Sequence, residues 1–596
     1  MMLQFDIESL LDAYARGLSP LAVIETVYDR LEAAADPGIF IHLAPKEALL
    51  REAAALGEFD PAVPLWGVPF AVKDNIDVAG MPTTAACPAF SHVPQIDATV
   101  VALLKRAGAL CIGKTNMDQF ATGLVGVRTP YPVPRNAIDP TLAPGGSSSG
   151  SAVVVARGIV AFALGTDTAG SGRIPAGLNN IVGLKPTLGA LSTSGVTPAC
   201  RSLDCVSIFA LTVEDAYRVF EITATHDASD PFSKRVPKAP LGARPPRLRV
   251  GVPAELRFFG DALMEAGYEA ALGRLVRLGC QIVALPFDDF HAVADLLYRG
   301  AFVAERYAAI REFIETNEAA LHPITRAIIC GATRLSAVDA FESVYALRAL
   351  QARIEPLLAS VDLLCVPTAP THYTLAEIAA EPIDANTRLG TYTNFVNLLD
   401  LCGVAVPVGA LADGRPASVT LLAPANRDAL IAALARDLHA DNGLGATGWR
   451  RRPRAAPPAD DGERIEIVVV GAHLSGMPLN GELTALGARF SRVALTAPGY
   501  RLYALAGQTP PKPGLIRDET GSGAVEIEVW TLDVAAFGRF VASVPSPLCI
   551  GTVRLADESA PKGFLVEPAA LNGAADITGH GGWRAYCLAL AEPRST

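Results

Sequence analysis

Two glycine-rich segments of this 596-residue chain carry serines that could do chemistry: Gly145-Gly146-Ser147-Ser148-Ser149-Gly150-Ser151 and Gly165-Thr166-Asp167-Thr168-Ala169-Gly170-Ser171-Gly172-Arg173. Upstream stands Lys73, in Val72-Lys73-Asp74-Asn75. A serine hydroxyl is a poor nucleophile until a neighbouring base takes its proton. Glycine-rich loops let backbone N–H groups crowd around an anion that develops beside them. The three segments thus offer a nucleophile, a relay hydroxyl and a base without a histidine, and none of the nine histidines lies between His92 and His226. Lysine is a base only when neutral, so its ordinary pKa near ~10.4 has to be lowered by burial. The apolar run Val68-Pro69-Phe70-Ala71-Val72 reads as a buried strand that delivers the amine into a dry site.

Two other motifs compete for these residues. Gly146-Ser147-Ser148-Ser149-Gly150 fits the nucleophile elbow G-x-S-x-G, which needs a strand before it. What precedes it is Asp139-Pro140-Thr141-Leu142-Ala143-Pro144, a proline-broken loop. Gly108 to Thr115 fits the phosphate-loop pattern G-x-x-x-x-G-K-T, yet its interior Ala109-Leu110-Cys111-Ile112 is apolar and reads as a buried strand.

Lys73, the serine loop and the second serine segment together resemble the amidase signature family, serine hydrolases with a Ser-Ser-Lys triad. The resemblance implies that Ser171 is the nucleophile, that Ser147 is a bridging serine held by a cis peptide, and that Lys73 is the ultimate base. It also implies an oxyanion hole lined by the N–H groups of Thr168, Ala169, Gly170 and Ser171. Lys114 to Phe120 and the loop Cys200-Arg201-Ser202-Leu203-Asp204 extend the likeness.

Within that family the chain is similar to the allophanate hydrolases on three counts. Ala169 and Gly172 replace the glycine and isoleucine common elsewhere. Leu297 to Tyr307 resembles the segment whose tyrosine and arginine hold the substrate carboxylate, which implies Tyr298 and Arg306 as the clamp. On one helix, positions eight apart share a side. An arginine fork suits a planar carboxylate. The tail resembles a γ-glutamylcyclotransferase-like domain associated with decarboxylating the amidase product. Val470 to Asn480 reads as its opening strand and loop, and Ala524 to Leu532 as a later strand. The absence of glutamate between Asp533 and Leu548 argues against cyclotransferase activity. His473 is the candidate residue there, with His580 a weaker second.

The implied activity is hydrolysis of urea-1-carboxylate (allophanate) to ammonia and carbon dioxide, downstream of a biotin-dependent urea carboxylase that is another protein. The sequence carries no biotin, ATP or metal motif, so no cofactor and no metal is expected. A broad-specificity amidase and an ammonia-releasing subunit of an amidotransferase are the alternatives. A homodimer is expected.

The elements that must hold these residues follow from patterning. Residues 1 to about 60 carry helical periodicity, with Ser19-Pro20 as a helix start. From Trp66 to about Ala210, strand-like runs alternate with helical stretches, which predicts an α/β fold with a mixed sheet flanked by helices. Thr225 to Pro246 reads as a surface excursion, and Val361 to Thr368 as a further strand. The expected domains are an amidase domain at 1–448, an exposed linker at 449–463 rich in Arg, Pro, Ala and Asp, and a small α+β domain at 464–596. Half the residues are apolar, but no apolar run is long enough to span a bilayer. The acidic start lacks the basic opening of a signal peptide, and ten scattered cysteines include no C-x-x-C pair. These features point to reduced thiols and a cytoplasmic location. A net charge of −11 argues against nucleic acid as a partner.

Overall fold

The computed structural model describes residues 3–237, 241–439, 445–446, 464–518, 521 and 523–591. The expected linker at 449–463 lies outside the described residues. The chain divides into two compact units, one of Met1–Lys238 with Val250–Arg452 and the other of Ala239–Arg249 with Pro453–Thr596.

The first unit is built on one sheet of eleven strands. These are β1 (Phe40–Leu43), β2 (Pro69–Lys73), β3 (Leu110–Thr115), β4 (Phe162–Thr166), β5 (Val182–Lys185) and β6 (Val206–Ala210). They are followed by β7 (Arg249–Pro253), β8 (Gln281–Leu285), β9 (Leu363–Pro367), β10 (Leu401–Ala410) and β11 (Pro416–Pro424). The order across the sheet is β1-β3-β2-β4-β6-β5-β10-β11-β9-β7-β8. β2 runs parallel to both β3 and β4, whereas β4–β6 and β10–β11 are antiparallel, so the sheet is mixed. Every residue of β2, β3, β4, β5, β6 and β9 is buried. Near-continuous apolar runs are what a sheet covered on both faces demands. Leu110–Thr115 is one of these strands, which disposes of a phosphate loop at Gly108–Thr115.

The amino-terminal helices follow the expected signals. Asp6 caps Ile7–Ala15 by accepting from the Ser9 N–H, and Ser19 caps Pro20–Ala34 by accepting from Leu21. The helical reading of 1–60 fails at Phe40–Leu43, which is strand β1 against β3. That run follows Pro37-Gly38, is only four residues long, and starts with an aromatic side chain, all of which favour a strand. The helix Ser149–Ala156 is wholly buried, and so is β4, which follows it.

The second unit has a five-stranded sheet and a three-stranded sheet. Its strands are β12 (Arg464–Val469), β13 (Arg489–Leu495), β14 (Tyr500–Ala504), β15 (Pro513–Arg517), β16 (Glu526–Asp533), β17 (Leu548–Thr552), β18 (Lys562–Val566) and β19 (Ala575–Asp576). The orders are β13-β16-β12-β18-β17 and β15-β14-β19. With the helices Val534–Ser543 and Trp583–Ala591 this is the α+β unit expected, and its opening strand is Arg464–Val469, so Val470–Asn480 is loop and helix start rather than strand. Trp530, Ile467, Val469, Ile527 and Phe540 lie in its core.

One segment departs from the expected division. Ala239–Arg249, read as part of a surface excursion in the first domain, belongs to the second unit. There the Ser475 hydroxyl donates to the Pro246 carbonyl at 2.8 Å. A buried polar side chain needs such a partner, and the acceptor comes from the middle of the chain. The first unit is therefore not the continuous stretch 1–448.

Candidate active site

β2, which ends at Lys73, is an interior strand of the mixed sheet, between β3 and β4. The amine is completely buried. Its Nζ donates to Ser147 Oγ and to Thr166 Oγ1, each at 2.7 Å. Thr166 is the last residue of β4, so the neighbouring strand supplies the second hydroxyl. Burial lowers the Lys73 pKa to about 7, while Asp118, Asp167 and Asp204 pull it up and Arg306 pushes it down. Burial dominates, and the amine can lose its proton near neutral pH.

The Gly146–Ser147 peptide bond is cis. Ser147 is held by its carbonyl, which accepts the Asp118 N–H at 3.0 Å. The Asp118 carboxylate in turn accepts the N–H groups of Gly126 at 3.0 Å and Arg128 at 2.8 Å. A Cβ at position 146 would collide with that carboxylate, so glycine stands there because another chain segment passes close by.

Ser171 sits on a loop organised by an ion pair. Asp167 and Arg173 are both buried and paired bidentately at 2.8 and 2.9 Å. Burial opposes ionisation of Asp167, but Arg173 outweighs it and holds the carboxyl below its usual range. Asp167 also accepts the N–H groups of Gly170 at 2.8 Å and Gly172 at 3.1 Å, on either side of Ser171. Asn397 ties the Asp167 and Leu203 carbonyls together at 2.7 and 2.8 Å. Gly170 has φ +138°, and a Cβ there would strike Thr393. The Thr168 hydroxyl is fixed by Asp204 at 2.5 Å.

This loop corrects the expected oxyanion hole at one position. The Gly170 N–H is donated to Asp167, three residues back, which leaves the N–H groups of Thr168, Ala169 and Ser171 without an acceptor among the described residues. The Lys73–Ser147 link is formed, whereas Ser171 Oγ makes no hydrogen bond to Ser147.

Tyr298 and Arg306 are brought together, though not as expected. They do not share a helix: Tyr298 is in Asp288–Arg299 and Arg306 in Val303–Ala309, with a break at Gly300. Arg306 Nη2 donates to the Tyr298 hydroxyl at 3.1 Å, and the guanidinium lies 5.2 Å from the ring centroid. Its Nη1 reaches the Ala121 carbonyl and Thr122 Oγ1. The preceding residue, Glu305, accepts from Ser202 N at 2.8 Å and Ser202 Oγ at 2.7 Å, which fastens the 200–204 loop to the arginine's helix. A cavity of about 460 Å³ next to Tyr298 and Arg128 includes neither Ser171 nor Arg306 in its wall.

In the second unit His473 stacks on Phe564, lies edge-on to Phe540 and shares a 3.0 Å hydrogen bond with Glu482. Burial lowers its pKa against the pull of Glu482. His580 is exposed beside Tyr586. Glu528, which no sequence motif marks, is fully buried on β16. It accepts from Ser475, Trp530 and Arg584 at 2.5 to 3.0 Å and is fully satisfied there. Among the described residues no cluster of three or more His, Cys, Asp or Glu side chains could hold a metal ion. Nor is any described helix long and apolar enough to cross a membrane.

Fold and comparisons together define an amidohydrolase. The chain belongs to the amidase family, whose model matches residues 22–431, and residues 465–588 match the allophanate hydrolase C-terminal domain. It is 42% identical to the urea amidolyase of Saccharomyces cerevisiae over 96% of its own length. The chain spans about a third of the length of the urea amidolyases it matches. The solved structure of Kluyveromyces lactis allophanate hydrolase is 41% identical, with a TM-score of 0.78 over 99% of this chain and 100% of that one. A glutamyl-tRNA(Gln) amidotransferase subunit from Akkermansia muciniphila is 35% identical over 70% of this chain and 94% of that protein.

Proposed function

We propose that this chain hydrolyses allophanate, with Ser171 as nucleophile. The observation that carries the reading is the joining of a buried Lys73–Ser147 pair to a second unit that matches the allophanate hydrolase C-terminal domain. Neutral Lys73 draws a proton from Ser147, which draws one from Ser171 as its Oγ attacks the terminal amide carbonyl. The N–H groups of Thr168, Ala169 and Ser171 meet the developing oxyanion. Ammonia leaves with a proton returned along the same chain. Water then releases the acyl group as N-carboxycarbamate. Arg306 and Tyr298 hold the carboxylate of the substrate. Decarboxylation of the product needs a proton delivered to nitrogen, and His473, oriented by Glu482, is the proposed group. A biotin-dependent urea carboxylase would supply the substrate. The urea amidolyases, about three times as long as this chain, support that link. A cytoplasmic location and a homodimer complete the reading.

The amidotransferase reading is favoured by a likeness that covers 70% of this chain, whereas residues 465–588 match the allophanate hydrolase C-terminal domain. Ammonia release from allophanate, malonamate, glutamine and acetamide separates the readings. Turnover confined to the acidic amides is expected, and preferential use of glutamine overturns the assignment.

A further inference from the structure

Buried arginines in the first unit are of two kinds. Arg173 is held by the Asp167 carboxylate, as a charge removed from water has to be. Arg128 and Arg306 are each only 2% exposed, and every acceptor they have among the described residues is neutral. Arg128 Nη1 donates to the Thr122 carbonyl at 3.0 Å and Nη2 to the Pro382 carbonyl at 2.9 Å. Arg306 donates to the hydroxyl of the same Thr122 at 3.2 Å, to the Ala121 carbonyl and to the Tyr298 hydroxyl. The carboxylate that acts on Arg128 is Asp118, and its oxygens already accept the backbone N–H groups of Gly126 and Arg128. Burial lowers the Arg128 pKa, Asp118 and Tyr298 pull it up, and the charge of Arg306 pushes it down. Two like charges kept dry without an ion pair are what an anion site holds ready for its anion.

The cavity of about 460 Å³ leads to this pair from outside. Its rim is exposed: Arg299 is paired with Asp295 at 3.6 Å, and Asp384 stands in solvent. Its buried end is Arg128 together with Tyr298, whose hydroxyl receives Arg306. Charges on a rim are screened by water and salt, whereas a charge set in a low-dielectric recess attracts ions much more strongly. The uncompensated positive charge therefore lies at the inner end of the cavity.

We propose that this cavity is the antechamber of the amidase site and that Arg128 is a second anion-recognition residue, drawing the carboxylate of an acidic amide inward to Tyr298 and Arg306. The proposal rests on the reading that those two residues hold the carboxylate, and extends recognition to a residue on the way in. Arg128 serves entry and binding rather than acyl transfer. Its charge is felt equally by bound substrate and transition state, which puts its effect in KM and in the salt dependence rather than in kcat. A neutral compound uses the same cavity without being drawn.

The test uses the full chain and follows ammonia release from allophanate over a salt series. The neutral probe is methanesulfonyl fluoride, which sulfonylates an active serine with loss of fluoride. Arg128→Gln should raise KM for allophanate about tenfold or more, keep kcat within about threefold and flatten the salt dependence of kcat/KM. Inactivation by the sulfonyl fluoride should keep the parent's rate, and Arg128→Lys should recover most of the lost KM. Two further variants leave both arginines in place and decide the route even where Arg128→Gln fails to fold. A Cβ at Gly331, on the cavity wall, would meet no atom within 4 Å, and Ala327 on the same wall is exposed. Gly331→Trp and Ala327→Trp therefore have room to set an indole in the cavity, and each should slow allophanate and the sulfonyl fluoride together by about tenfold or more. The proposal is overturned if Arg128→Gln slows both probes alike, if it lowers kcat with KM unchanged, or if the indoles slow neither probe. Arg306→Ala with an unchanged KM for allophanate, beside an Arg128→Gln that raises it, would count against the clamp and leave the antechamber standing.

Discussion

Lys73 Nζ lies 2.7 Å from Ser147 Oγ, with both side chains shut away from solvent. A charged amine is poorly tolerated there, so the pair is set up to pass a proton rather than to hold one. With its pKa at about 7, the lysine is mostly protonated below that pH and mostly free base above it. The parent rate should therefore rise with pH through about 7 and then level off. Lys73→Ala should lose about 10²–10⁴-fold and abolish that rise. Steady-state rates from pH 5 to 9 check both. A loss under tenfold with the same profile would place the proton elsewhere.

Ser171 stands between two glycines whose N–H groups are fixed by Asp167, so the loop's shape does not depend on its hydroxyl. Ser171→Ala should keep the parent's thermal melt and lose at least about 10³-fold in amide hydrolysis. Ammonia release and circular dichroism on one preparation suffice to judge it.

Arg306 and Tyr298 predict a charge preference. Removing one partner of a buried charge contact costs about 2–5 kcal/mol. Arg306→Ala should slow allophanate and malonamate by that much more than acetamide. Equal slowing of all three would sink the clamp.

The Asp167–Arg173 pair is buried and bidentate. Arg173→Met leaves the carboxylate without its counter-charge, at a cost of about 3–5 kcal/mol. A lower melting temperature should accompany lost activity. An unshifted melt would mean that the loop tolerates the unpaired acid.

Asp215 accepts the Ile7 N–H at 3.1 Å, and burial followed by the charge of Asp6 raises its pKa from 3.8 to about 7. Arg218 and the Thr212 hydroxyl pull the other way. The folded form thus binds a proton that the unfolded form has released, so this contribution to stability is present at low pH and is lost as pH rises from about 4 to 7. Asp215→Asn, which still accepts from Ile7, should melt higher than the parent at pH 8 and close to it at pH 4. Calorimetry at the two pH values decides.

The proposed triad was legible because its chemistry sits in short contiguous segments: Lys73 ends an apolar strand, and both serines stand among glycines. Asp118, Asn397 and Thr393 were not, since they act on the loops from far along the chain and no local pattern marks them. Gly170 was misread for a nearer reason: a carboxylate three residues back captures its N–H. Tyr298 and Arg306 do meet, but not for the reason that periodicity supplies. Helical periodicity assumes an unbroken helix, and a Cβ at Gly300, where the helix ends, would strike the Leu296 carbonyl. The α+β tail was visible in its strands, but not its dependence on residues near 246, because nothing in that proline-rich stretch names a distant acceptor.

That dependence has a consequence for how the molecule is made. Residues 239–249 leave the ribosome long before the tail they belong with, and the chain must return from them to β7 to continue the first unit. The second unit therefore cannot be completed from the tail alone at the end of synthesis; it takes in a segment made much earlier in the chain. A gene fragment starting after the linker would encode every strand of that unit and still lack the carbonyl that Ser475 donates to. Swapping this tail between relatives should succeed only when the internal loop travels with it.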